Sequence, residues 1–116
     1  MRYMLLIYTN ETTQPAPGTP DFGAMMEGYG AFTEEVRQKG VMHAGDPLDS
    51  AGGAKTVRVR NGRAVVTAGP FAETAEQLGG YYILNCETID EATAYAAKIP
   101  GAAHGSVEVR AIAEMG

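Results

Sequence analysis

Residues 68–86, which read AGPFAETAEQLGGYYILNC, carry the signals that decide the fold of this chain. Gly69-Pro70 breaks regular structure, and the polar run over residues 73–77 is typical of a loop. Tyr81-Tyr-Ile-Leu84 is rich in the aromatic and β-branched residues that strands favour. The stretch therefore predicts a loop that holds two carboxylates and leads into a buried strand over residues 81–86.

A β-hairpin is predicted immediately before this loop. Residues 55–60 (KTVRVR) alternate in polarity, and Asn61-Gly62 is the preferred sequence of a type I′ turn. The returning strand covers residues 63–67. A two-residue turn places Val57 opposite Val66, so one face of the hairpin is apolar and the other carries arginines.

Two helices are marked by threonines at their N-termini. Thr19 fits an N-cap, and the helix that it begins is expected to end near Lys39. Thr88 and Glu91 match a capping box for the second helix. Pro100-Gly101 is expected to end that second helix.

Three more strands complete the prediction. Residues 2–8 form the first, which we expect to be buried on both faces because residues 4–7 (MLLI) are all apolar. Residues 41–44 and 106–111 form the others. The order β-α-β-hairpin-β-α-β predicts an α+β fold, a ferredoxin-like sandwich with an inserted β-hairpin, as one domain over residues 1–116.

Composition narrows the class of protein. A chain of 116 residues with 45% apolar residues suits one globular domain. A net charge of −5 argues against nucleic acid as a partner, because a basic face supplies that affinity. The apolar run 3–8 is too short to span a membrane, and a single cysteine makes no disulfide, so we expect a cytoplasmic protein. Two distant histidines and one cysteine predict no metal site, and no cofactor motif is present.

Several segments resemble one known family. GPFAETAEQLGGYY, residues 69–82, is similar to the motif DGPFAETKEQLGGYY of the DGPF proteins within the YCII-related group. The opening MRYMLLIY, the hairpin TVRVRNG and the closing VEVR also match, so the resemblance covers nearly the whole chain. Ala68 replaces the aspartate of the motif, and no role of that carboxylate carries over. The resemblance implies a ferredoxin-like fold, homodimers whose facing sheets make a dimeric α/β barrel, and association of some members with alternative sigma factors.

Glu73 and Glu76 are the first candidates for catalysis. On a helical turn they would share a face, and paired carboxylates in a partly closed pocket can divide acid and base roles. The alternative is a solvated surface turn in which Thr74 and Gln77 cap each other. The motif of the resembled family retains both glutamates and Thr74, and both interpretations stay open.

His43 and Asp46 form a second candidate pair. A strand histidine near an aspartate can shuttle protons near neutral pH, or it can be a hydrogen-bonded structural residue. The DGPF pattern carries an aliphatic residue at this position, so the resemblance does not support His43. The wider YCII-related group often carries a histidine on the first helix, where this chain reads Gly28-Tyr29-Gly30, so no histidine mechanism carries over.

Ligand-binding candidates lie at both ends of the loop and on the last strand. They are Phe71, Thr74, Tyr81 and Arg110. Arg110 is two residues from Glu108 on a strand, so the two share a face and form either an ion pair or a grip for an anionic ligand.

Two functions follow as hypotheses. The first is a homodimeric protein that binds a small anionic or aromatic metabolite, with cofactor-independent acid–base chemistry of a lyase or isomerase. The second is a non-catalytic regulatory or interaction module associated with an alternative sigma factor. The residues alone do not decide whether the protein is an enzyme.

Overall fold

The computed structural model describes residues 1–114. Within them the chain forms a 3-10 turn at Ala51–Gly53 and the following elements: β1 (Arg2–Thr9), α1 (Pro20–Gln38), β2 (Met42–Pro47), β3 (Lys55–Arg60), β4 (Arg63–Ala68), β5 (Gln77–Asn85), α2 (Ile89–Ala96), α3 (Gly101–His104) and β6 (Ser106–Ala111).

Four strands make an antiparallel sheet in the order β2-β5-β1-β6, and β3 and β4 pair separately. Strands β1 and β5 are central. The two strands that α1 connects, β1 and β2, have β5 between them, and β5 and β6 have β1 between them. This is the ferredoxin-like arrangement. The predicted α+β sandwich with an inserted hairpin is confirmed. None of the helices in residues 1–114 is long and apolar enough to cross a membrane.

One face of the sheet is buried under the helices. Leu5 and Leu84 are fully buried there, packed in one cluster with Phe32 and Val36 of α1 and with residues of α2. Alternation in the strands places every second side chain on this face. The core of the domain therefore lies between the sheet and the helices.

The opposite face, here named the open face, carries residues that are only half-buried. In β1, Met4 and Leu6 alternate with the buried positions, so the expectation that this strand is buried on both faces is wrong for the single chain. Leu6 pairs with Tyr81 of β5, and these half-buried side chains share the open face. The helices of the described chain cover one face only, and the second, apolar face is left uncovered by them.

Both helix N-caps form as the sequence predicts. The hydroxyl oxygen of Thr19 accepts a hydrogen bond from the amide of Phe22 at 3.2 Å. Thr88 accepts one from Glu91 at 3.1 Å, and the Glu91 carboxylate accepts one from the amide of Glu87. Each bond satisfies a backbone donor that the first turn leaves unpaired.

Three boundaries differ from the sequence prediction by three residues or more. The second helix does not pass the predicted stop at Pro100-Gly101 but already ends at Ala96, and a separate short helix, α3, begins at Gly101. Strand β2 continues to Pro47, three residues beyond the predicted end at Ala44. Strand β5 begins at Gln77, four residues before the predicted start at Tyr81. The strand extends through the glycine pair because Gly80 pairs with Ile7 of β1. The register shifts by one residue at Gly79, so that Leu78 pairs with Tyr8.

Glycines in α1 have two different environments. A Cβ atom at Gly28 would lie 2.9 Å from Cγ of Pro100, so this glycine lets α1 approach the α2–α3 connection. Positions 23 and 30 have no atom within 4 Å of a Cβ.

We therefore expect Gly30→Ala to stabilise the fold and Gly28→Ala not to. Alanine gains roughly 0.8–1 kcal/mol of helix propensity over glycine, and nothing opposes it at position 30. At position 28 the contact with Pro100 must be relieved, which offsets that gain. Urea unfolding of both variants measures the difference. Equal changes in the free energy of unfolding would contradict the packing role of Gly28.

The hairpin of β3 and β4, here named the arm (residues 55–68), matches its prediction. Asn61 and Gly62 both have positive φ, 52° and 74°, as a type I′ turn requires. Val57 pairs with Val66 as expected. The arm makes the molecule extended: the radius of gyration is 16.0 Å, against about 13 Å for a compact domain of this length.

Candidate functional site

A pocket of about 1040 Å³ lies between the open face, the segment over residues 48–54, the base of the arm and the loop over residues 69–76, here named the central loop. Tyr8 and Leu78 line it from the sheet, Lys55 and Val57 from the arm, and Phe71 from the central loop. The lining is mostly apolar, as in small-molecule sites, with a few polar groups.

Hydrogen bonds within the central loop fix its course. The side-chain amide of Gln77 donates to the carbonyl oxygens of Ala72 at 2.7 Å and Thr74 at 2.9 Å. The Thr74 hydroxyl donates to the carbonyl oxygen of Glu76 at 2.6 Å. The predicted local pair of Thr74 and Gln77 therefore forms, although the loop contains no helical turn.

Glu76 is the one of the two predicted catalytic glutamates that lines the pocket, which Asp49 also lines. It is half-buried, and its Oε1 accepts a hydrogen bond of 3.0 Å from the hydroxyl of Ser106 at the start of β6. The bond joins the central loop to the edge strand of the sheet. One carboxylate oxygen is thereby oriented, and the group keeps lone pairs with which to accept a proton or a hydrogen bond from a ligand.

Glu73 has a different position. It is exposed and does not line the pocket. The shared face that we inferred for Glu73 and Glu76 depended on a helical turn, and the loop is irregular between them. The structure therefore does not bring the two carboxylates together as an acid–base pair.

Asp46 and Tyr81 meet on the open face near the edge strand β2. They are register partners, and the Tyr81 hydroxyl donates to Oδ2 of Asp46 at 2.8 Å. This hydrogen bond is the largest cause of the raised pKa of Tyr81, because it stabilises the protonated phenol beside a carboxylate. Tyr81 is thus held as a hydrogen-bond donor, outside the lining of the large pocket.

His43 is exposed and stands where the register of β2 with β5 shifts, between Met42 and Ala44. The pKa of Glu114 is lowered, mainly by its hydrogen bond with Arg2, and His43 is one of the groups near that carboxylate. This places His43 toward the chain termini, whereas Asp46 is bound to Tyr81. The structure does not join His43 and Asp46 by a hydrogen bond within the described part of the chain.

Arg110 lies on the opposite edge of the open face. It forms an ion pair with Glu108, which is the fold-stabilising alternative that the sequence left open. Both residues line a shallow groove of about 410 Å³ with Met4 and Leu6. This groove is separate from the pocket that contains Glu76, and the two share only Tyr8.

Sequence reasoning missed Tyr8, Ser106 and Lys55 as pocket residues. Tyr8 and Ser106 are register partners on β1 and β6, which are about a hundred residues apart in the chain. Alternation in β6 puts Ser106 on the same face as Glu108 and Arg110, which is the one signal available in the sequence. Its contact with Glu76 depends on the pairing of three strands.

Cys86 takes no part in the pocket. Cys86 is buried, as expected, and burial raises the pKa of its thiol, so it is held as the unreactive protonated form. Among residues 1–114, no three histidine, cysteine or acidic side chains cluster as metal ligands would.

Comparisons with known proteins agree with this architecture. A protein of Rhizobium meliloti (strain 1021) without an assigned function is 33% identical over 115 residues, covering 97% of this chain and 93% of that protein. A solved structure of 5-chloro-2-hydroxyhydroquinone dehydrochlorinase from Burkholderia phenoliruptrix AC1100, in complex with 2,5-dihydroxybenzoquinone, is similar in fold. Its TM-score is 0.50 at 15% identity, over 99% of this chain and 96% of that one. The model of the YCII-related domain matches residues 1–116, which confirms the resemblance, and this chain belongs to the YCII-related family.

Proposed function

We propose that this protein binds a small aromatic metabolite in the pocket between the arm, the central loop and the open face. The metabolite carries hydroxyl groups or anionic oxygens. The observation that carries the proposal is Phe71, which lies on the pocket with 80% of its surface exposed. An exposed aromatic ring beside an apolar cavity is a ready stacking partner for a ring-shaped ligand.

Three charged side chains line the pocket, Asp49, Lys55 and Glu76, and the last two are assigned to the ligand here. Lys55 lines it from the arm and can pair with an anionic oxygen of the ligand. Glu76 faces the same space and can accept a hydrogen bond or a proton from a hydroxyl group. A ring that presents an acidic oxygen to Lys55 and a hydroxyl to Glu76 satisfies both side chains.

The structural neighbour supports a ligand of this class. That protein, a dehydrochlorinase, was solved with 2,5-dihydroxybenzoquinone, an oxygenated six-membered ring. At 15% identity it supports only the class of ligand, and the residues that would bind it here are those of this chain.

For catalysis, we assign the role of general base to Glu76. In an isomerase the carboxylate takes a proton from a ring hydroxyl, the O–H electron pair forms a C=O bond, and the proton returns from Glu76 to a ring carbon. In a lyase the displaced electron pair instead breaks the bond between the ring and a leaving group, which departs with the proton. Ser106 orients the carboxylate through its hydrogen bond. This chemistry needs no cofactor.

A thermal-shift screen with benzenediols, hydroxybenzoates and hydroxyquinones tests the binding proposal. A compound at a hundred times its dissociation constant stabilises the folded protein by about 2.7 kcal/mol, which raises the melting temperature by several degrees. We expect Phe71→Ala and Glu76→Gln to lose much of that shift, because one removes the stacking surface and the other the charge.

Glu73→Gln is the matched control for Glu76→Gln. It makes the same chemical change three residues away, on an exposed side chain outside the pocket. We expect it to keep the full thermal shift. Equal losses in both variants, or no shift with any aromatic compound, would contradict the proposed site. Turnover of a binding compound, followed by absorbance, separates an enzyme from a regulatory module that only binds.

We also propose that two copies associate through their open faces as a homodimer. Half-buried Met4, Leu6 and Ile83 form an apolar surface that the chain itself leaves uncovered. Light scattering at micromolar concentration should give twice the chain mass of 12.2 kDa. A mass of one chain at every concentration tested would exclude this arrangement.

A further inference from the structure

The arm has two chemically different faces, and both are exposed. One face carries three valines with exposed fractions of 61%, 63% and 57%, at positions 57, 59 and 66. The other face carries Arg58, Arg60 and Arg63. A two-stranded hairpin by itself is marginally stable in water, so an exposed apolar face of this size calls for a partner.

The arm is joined to the rest of the domain only at its base in the described structure. The amide of Gly69 donates to the carbonyl oxygen of Ala54. The Thr56 hydroxyl donates to the carbonyl oxygen of Gly69 at 2.9 Å. Strands β3 and β4 pair with each other and with no strand of the main sheet. The distal half of the arm is therefore free to meet another molecule.

Charge is divided sharply between the arm and the body. Residues 55–68 contain four of the nine basic residues and none of the fourteen acidic ones, so the arm carries +4 and the rest of the chain −9. No ion pair within residues 1–114 involves an arginine of the arm. Arg60 bonds to the carbonyl oxygen of Val59 in its own strand. The basic charge of the arm is not neutralised by its own body.

We propose that the arm is a clasp that binds the acidic body of a second copy of this chain. A second copy supplies the complementary charge at equal concentration, and a two-fold axis lets both arms bind in the same way. The valine face packs on the partner, and the arginines, whose long side chains reach past the strand, pair with its acidic residues. The clasp rests on the homodimer proposed above and adds a second contact to it.

The clasp also bears on the pocket. Lys55 and Val57 at the base of the arm line that pocket, so a partner that holds the arm fixes one pocket wall. Loss of the clasp should weaken ligand binding even when the substituted residues lie outside the pocket. Val59, Val66 and the three arginines meet that condition.

Two sets of variants test the clasp by sedimentation velocity over a range of concentrations. We expect Val59→Ser with Val66→Ser to raise the dimer dissociation constant at least tenfold. We expect Arg58→Glu, Arg60→Glu and Arg63→Glu together to do the same at low salt and to reverse the salt dependence, because the arm then carries −2 and salt screens its repulsion from the acidic body. The matched control is Met26→Ser with Ile89→Ser, which removes exposed apolar side chains from the helices and should leave the constant unchanged.

Cross-linking shows directly which molecule the arm contacts. A photoreactive group is attached at Val59→Cys in a Cys86→Ala background, and chains labelled with ¹⁴N and ¹⁵N are mixed. We expect cross-linked peptides that join the two labels, with the arm of one chain on acidic segments of the other. Cross-links confined to a single label would overturn the clasp.

The outcomes separate the proposals from each other. If the dimer dissociation constant is unchanged in all arm variants, the clasp is overturned, and association through the open faces is not. A monomeric natural protein overturns both. Neither experiment contains a ligand, so failure of the clasp is distinct from failure of the proposed metabolite site.

Discussion

Replacing Leu84 by alanine is expected to lower the free energy of unfolding by about 3–4 kcal/mol, within the range measured for buried leucines. Leu84 has no exposed surface, and it packs in the single cluster between the sheet and the helices. The substitution removes buried apolar atoms and leaves a cavity that the central strand β5 is poorly able to close. The loss is a large fraction of the 5–15 kcal/mol that a domain of this kind has in total.

Urea unfolding followed by circular dichroism measures this loss. Ile89→Ala is the matched control, because it also shortens a branched aliphatic side chain. Ile89 is 48% exposed at the start of α2, and alanine has the better helix propensity there. We expect the control to cost less than about 1 kcal/mol. Similar losses in both variants would show that Leu84 is not at the centre of the core.

Substituting Gly105 by alanine is expected to cost about 3 kcal/mol, at the upper end for an overpacked site. A Cβ atom here would overlap the carbonyl oxygen of Tyr8 and lie 3.1 Å from Cα of Thr9. The obstacle is the backbone of the central strand β1, so no side-chain rotation relieves it. Because Gly105 leads into β6, relief requires β6 to move away from β1.

The melting temperature reports this change as a fall of roughly 10–15 °C. Gly23→Ala serves as the control, since nothing lies within 4 Å of a Cβ at that position and the helix gains propensity. Ligand binding by the surviving folded fraction should weaken as well, because Ser106 follows Gly105 and orients Glu76. A Gly105→Ala protein as stable as the natural one would show that β6 is placed differently.

The hairpin and the helix caps were predictable because their causes are local. Asn61-Gly62 adopts the two positive φ values of the turn without help from other segments. Thr19 and Thr88 cap backbone amides three residues away. Interactions of such short range depend only on residues that are close in sequence, so the sequence predicts them. The motif over residues 69–82 indicated the family.

The burial of β1 and the length of β5 were not predictable from the same evidence. Residues 4–7 are all apolar, so the sequence shows no difference between the side of β1 that the helices cover and the side that they leave open. The glycine pair before Tyr81 looks like a loop signal, yet both glycines lie in β5, where Gly80 pairs with Ile7 of β1 and Gly79 stands at the register shift. Tertiary pairing overrides the weak strand propensity of glycine.

The sequence by itself determined the fold class, the turn, the caps and the family, and it identified the loop that contains Glu76. Only the tertiary structure decided that Glu76 faces the pocket and Glu73 does not, and that Ser106 orients the former. It also decided that Asp46 meets Tyr81 instead of His43. The physical reason is range: turns and caps depend on neighbours in the chain, whereas these contacts depend on the register of strands that are distant in sequence.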